Sequence, residues 1–78
     1  MKDSVNVSFQ NLFKDDFGGT YYVFKCWRQM GLKKITSTLY VTNESEFNSI
    51  TRKFYKKQDI MIDGKYRSFS EWKLENNY

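Results

Sequence analysis

From Val5 to Gln10 apolar and polar residues alternate, Val5, Val7 and Phe9 against Asn6, Ser8 and Gln10. That period of two predicts a strand with one buried face. Leu12 and Phe13 either extend it or open a turn. Asp15, Asp16, Gly18 and Gly19 then break the pattern with turn residues.

Thr20 to Gln29 is dense in β-branched and aromatic residues and predicts a central strand. Met30-Gly31-Leu32 supplies a hairpin connection, because glycine reaches a positive φ at little cost. Lys33 to Thr42 is the returning strand. Ile35, Leu39 and Val41 face one way, and Lys34, Thr36, Thr38 and Tyr40 the other.

The period then changes to that of a helix. Asn43 is a good N-cap, and Glu46 three residues later completes a capping-box-like pair. Phe47, Ile50 and Phe54 form an apolar stripe. Glu44 and Glu46 in the first turn and Lys56 and Lys57 in the last both suit the helix dipole.

Ile60-Met61-Ile62 is a short apolar run, closed by the tight-turn pair Asp63-Gly64. Beyond Lys65 two patterns overlap. Tyr66, Trp72 and Leu74 suit a strand, whereas Ser68 with Glu71 and Phe69 with Trp72 suit a capped helical turn. The combined expectation is a strand entering a short terminal helix. The predicted fold class is therefore α+β: a small, mainly antiparallel sheet of about four strands in β-β-β-α-β order. One amphipathic helix packs on one face, and a short C-terminal strand or helical turn follows.

Seventy-eight residues are expected to form one compact domain, residues 1–78. A chain of this size is expected to hold only about 3–5 kcal/mol of stability. Two Trp, six Tyr and seven Phe exceed what one small core needs, so some aromatic rings should lie on the surface. Tyr and Trp are the favoured surface aromatics at binding sites.

The net charge is +4, unevenly distributed. Residues 20–42 carry Lys25, Arg28, Lys33 and Lys34 and no acid, and a second basic run holds Arg52, Lys53, Lys56 and Lys57. The lone Cys26 excludes an internal disulfide and a cysteine metal site. With no apolar stretch of membrane or signal length, the expectation is a soluble cytoplasmic protein with no membrane contact.

Chemistry narrows the function classes. Histidine, the commonest general base and metal ligand, is absent. Cys26 sits mid-strand among apolar neighbours with no base beside it. Gly18-Gly19 lacks the spacing and lysine of a phosphate loop. The expectation is no catalytic residue, no metal and no cofactor.

If Tyr22, Phe24 and Cys26 point inward, Tyr21, Lys25 and Trp27 share the outer face with Lys34 and Tyr40. Aromatic rings between lysines suit a partner protein, for which they are anchors. They also suit single-stranded DNA or RNA, for which they are stacking platforms. Arg52, Lys53, Lys56 and Lys57 would form a cationic helix edge, available to phosphate or simply compensating the dipole.

The first reading is thus a small inhibitor or adaptor that occupies a host or partner protein, of the kind phages and mobile elements make against nucleic-acid-handling or defence machinery. The alternative is a nucleic-acid-binding protein using the same surface. A dimer through an exposed strand edge or aromatic patch fits either.

Asp63 followed by Glu71-Trp72-Lys73 resembles the acid and acid-x-Lys arrangement of a large class of metal-dependent nucleases. In that class carboxylates hold Mg²⁺ and the lysine steadies the attacking water. The resemblance spans three residues and gives a third reading. Asp63-Gly64-Lys65 with Ser68 to Trp72 also resembles a strand–turn–helix entry in accessory DNA-binding segments of phage endonucleases. It stops before any recognition helix and assigns no family.

Overall fold

The computed structural model of the protein describes residues 4–54 and 59–78. Strands β1 (Val5–Lys14), β2 (Thr20–Met30) and β3 (Lys33–Val41) form an antiparallel meander, followed by helix α1 (Glu44–Phe54). The chain continues through β4 (Ile60–Ile62), β5 (Lys65–Tyr66) and helix α2 (Phe69–Glu75).

The five strands make one sheet in the order β3-β2-β1-β4-β5. The α+β class and the dominance of antiparallel pairing agree with the sequence. Two features correct it. The sheet has a fifth, two-residue strand, and β4 runs parallel to β1, pairing Val5 with Ile60 and Val7 with Ile62. The cause is α1. A strand reached through a helical crossover returns parallel to the meander's outer strands, and it lands beside β1, where an edge is open. The strand and short terminal helix expected beyond Lys65 are β5 and α2.

Parity decides which face is buried. Phe24 of β2 lies between Phe9 of β1 and Leu39 of β3, and Cys26 lies between Val7 and Ser37. A register shift between Phe9 and Asn11 keeps Leu12 opposite Tyr22 on this inner face. The buried set Val5, Val7, Tyr22, Phe24, Cys26, Leu39, Val41 and Ile62 is roofed by Phe47 of α1 and by Phe69 and Trp72 of α2. Both helices therefore cover the same face.

Each helix is placed by its cap. The Asn43 side chain accepts from the Glu46 backbone N–H at 2.9 Å, and Glu46 reaches back to accept from Thr42 Oγ1. Buried Thr51 returns its hydroxyl to the Phe47 carbonyl at 2.8 Å. Phe47 and Ile50 make the predicted contact with the core, while the Phe54 side chain lies outside the described residues. In α2, Ser68 accepts from the Glu71 N–H, as its spacing predicts. Ser70 donates to Glu44, tying α2 to α1, and Arg67 pairs with Glu75. Among the described residues no helix is long and apolar enough to cross a membrane.

The open sheet face as a candidate interaction surface

With both helices on one side, the other side of the sheet has no element over it among the described residues. Its composition follows from the same register. Val23 is flanked by Asn11 and Tyr40, Lys25 by Ser8 and Thr38, and Trp27 by Asn6 and Thr36. Phe13 stands opposite Tyr21, and Gln29 opposite Lys34. Tyr21, Lys25, Trp27, Lys34 and Tyr40 thus share one face.

The face has two chemically different ends. At one, Asn11, Phe13, Tyr21, Val23 and Tyr40 line an open depression of about 570 Å³. Phe13 and Tyr40 are 54% and 59% exposed, a high value for rings this large. At the other end Lys34 Nζ lies 5.1 Å from the centre of the Trp27 ring, a cation–π contact. Lys25, Thr36 and Thr38 surround it, and no acid occupies any of the paired outer positions.

Tyr21 is fixed from below by the β1–β2 turn. Asp15 accepts from the backbone N–H groups of Phe17 (3.0 Å) and Gly19 (2.6 Å). A Cβ on Gly19 would meet the same carboxylate at 2.7 Å, so a larger residue there displaces Asp15 from these bonds. The Tyr21 hydroxyl donates to Asp15, and that bond pushes its pKa above the ordinary 10.0, helped by the Asp15 charge, partial burial and Glu46. The ring at the mouth of the depression is therefore pre-positioned.

The second basic group lies elsewhere. Arg52 and Lys53 are exposed on α1, in the layer on the opposite side of the sheet from Lys25 and Lys34. Lys56 and Lys57 lie outside the described residues. A flat ligand on the open face cannot touch Arg52 or Lys53 at the same time.

Of the nuclease-like residues, Asp63 and Lys73 are engaged in the fold and Glu71 is exposed on α2. Asp63 Oδ1 accepts from the Phe9 N–H (3.1 Å) and Oδ2 from the Trp72 indole (2.7 Å). The Lys73 ammonium lies 5.4 Å and 5.6 Å from the Tyr22 and Phe69 ring centres. Among the described residues Asp63 belongs to no group of three acidic, Cys or His side chains able to hold a metal.

Sequence reasoning missed three members of the open face. Phe13 reaches it because the register shift after Phe9 reverses the parity of β1. The signal was present in the spacing of inward Phe9 and Leu12, which an unbroken strand cannot place on one side. Met61 and Tyr66 join it as partners on β4 and β5, and the Tyr66 hydroxyl bonds Ser4 Oγ at 3.0 Å. Their position depends on pairing across the whole chain. The chain matches no protein-family model, no curated protein and no solved structure.

Proposed function

We propose that this is a small non-enzymatic binding protein of the cytoplasm, an inhibitor or adaptor that grips a partner protein with its open sheet face. The carrying observation is the depression lined by Phe13, Tyr21, Val23 and Tyr40 on a face that neither helix covers. Covering an exposed aromatic ring contributes about 1.5–3 kcal/mol, and Tyr and Trp are the usual anchors of such interfaces. A partner that fills the depression gains from several such rings at once.

Single-stranded nucleic acid is the second reading, favoured by the acid-free face and by Lys34 over Trp27. Stacking gives about 1–3 kcal/mol per base. The phosphate contribution is small, because this face presents Lys25 and Lys34 while Arg52 and Lys53 lie on the other layer. Two phosphate contacts predict only about a sevenfold loss of affinity between 50 and 200 mM salt. The protein partner is therefore the stronger reading.

A photo-crosslinking residue at Phe13 is expected to capture a protein of defined size, and the same residue at exposed Ser49 on α1 is not. Equal capture at both positions, or none at position 13, overturns the reading. Micromolar binding of a 20-nucleotide single strand by anisotropy, abolished in Lys25→Ala/Lys34→Ala, replaces it with the nucleic-acid one. The face is also expected to be dispensable for folding: Phe13→Ala and Tyr40→Ala should each cost under about 1 kcal/mol in urea denaturation, as exposed positions do.

A further inference from the structure

The sheet ends in two unlike edges. β5 is two residues long, but β3 offers nine, Lys33–Val41, paired to β2 without a register shift. The β2–β3 connection is the two-residue turn Gly31-Leu32, with Gly31 at φ 60°. Such a turn closes on a hydrogen-bonded pair, here Met30 with Lys33, and the ladder alternates from there. Odd residues of β3 thus direct their main-chain groups to β2. Lys34, Thr36, Thr38 and Tyr40 direct theirs out of the sheet.

From Ile35 to Val41 this edge carries no charge and no proline. Long, regular, uncharged edges are templates for another strand, and proteins ordinarily interrupt them. Here the only charges, Lys33 and Lys34, sit at the turn end. The whole segment 20–42 carries Lys25, Arg28, Lys33 and Lys34 and no acid, as many positive charges as the net +4 of the chain. A second copy paired antiparallel would set its Lys33 and Lys34 beside the uncharged Tyr40 end and bring no opposite charge to either pair. An acidic strand meets them with opposite sign.

We propose that the β3 edge takes up an extended acidic segment of the partner protein as a sixth strand. The segment's main chain bonds Lys34, Thr36, Thr38 and Tyr40, and its acidic side chains lie beside Lys33 and Lys34. Its alternate side chains fall on the open face next to Tyr40, where the rings of the depression begin. This deepens the reading of the face and rests on the partner being a protein.

The test uses the full chain and a fluorescein-labelled nine-residue peptide of alternating Glu and Val, followed by anisotropy. Binding is expected below about 1 mM, the range of weak specific complexes. Replacing every Glu with Lys is expected to weaken it at least tenfold. N-methylating alternate amides should do the same in one of the two possible sets and spare it in the other. No binding, equal binding by the Lys peptide, or indifference to both methylated sets overturns the proposal.

On the protein side, Thr36→Pro removes an outward N–H at an edge position where proline is tolerated, and is expected to abolish binding. Should that variant not fold, Lys33→Glu/Lys34→Glu must reverse the preference to the Lys peptide. A dimer in sedimentation that Thr36→Pro dissolves would assign the edge to a second copy instead. Failed peptide binding with persistent capture at Phe13 removes the sixth strand alone. Peptide binding without that capture removes the face reading alone.

Discussion

Trp72→Ala is expected to leave the protein largely unfolded at 25 °C, with loss of near-ultraviolet dichroism and collapse of amide proton dispersion. Trp72 is 2% exposed and its ring centre lies 4.9 Å from Phe9, 5.0 Å from Phe24 and 5.4 Å from Tyr78. It joins α2 to β1, β2 and the last residue of the chain. Truncating a buried Trp costs about 3–5 kcal/mol, through lost transfer energy and the cavity left behind. That equals the whole stability expected for a domain this small, about 3–5 kcal/mol. Trp72→Phe keeps most of the ring contact and is expected to fold with reduced stability. Trp27→Ala, on the open face, is the matched control and is expected to stay folded. A Trp72→Ala protein as stable as the parent would show that α2 is not needed to close the core.

The second large effect is expected at Asp63, which joins three separate segments. Its two carboxylate oxygens hold the Phe9 amide and the Trp72 indole, and its own N–H donates to the Val7 carbonyl at 2.6 Å. Its backbone is also left-handed, at φ 52°. Three substitutions separate these contributions. Asp63→Gly removes both side-chain bonds but relaxes the backbone, and should cost about 2–3 kcal/mol, since a bond to a charged acceptor contributes a net of about 1.5–3 kcal/mol and the relaxed backbone offsets part of the two. Asp63→Ala adds a Cβ in a left-handed position, about 1–2 kcal/mol more. Asp63→Asn keeps one acceptor oxygen and tolerates the backbone, so it should be the mildest. Urea denaturation should rank them Asn, Gly, Ala. If Ala and Gly coincide, the backbone contributes nothing.

Local rules served well wherever a residue's fate depends on its near neighbours. The outward set Tyr21, Lys25, Trp27, Lys34 and Tyr40 follows from alternation along β2 and β3 and one glycine turn between them. The caps at Asn43 and Ser68 follow from spacing. The C-terminal segment was ambiguous because Trp72 fits both an alternating strand and a helical stripe. Leu74 decides the matter: it is 81% exposed while Trp72 is buried, two positions apart on a helix.

What was not legible depends on distant partners. Nothing near Ile60 states that it will lie parallel to Val5, and nothing near Asp63 names Phe9 and Trp72 as its donors. The same limit applied to the candidate surface. Alternation could place five residues on one face but could not say which face the helices would cover. Nor could it say that Arg52 and Lys53 would stand on the other side from Lys25 and Lys34. The register shift in β1 that brings Phe13 into the depression is an intermediate case, marked by a spacing that an unbroken strand does not permit.

The parallel seam between β1 and β4 has a consequence for the order of events in folding. β1 meets β2 across a short turn, a closure of low entropic cost, but it meets β4 only after more than half the chain has been ordered. The pairing of the meander can thus form early, while β4, β5 and α2 dock on it later and supply the roof without which it does not persist. One strand records both stages. The amides of Val5 and Phe9 are held by Asp59 and Asp63, so a local opening of residues 59–63 is enough to release them to solvent. The β1 amides turned toward β2 follow the collapse of the whole.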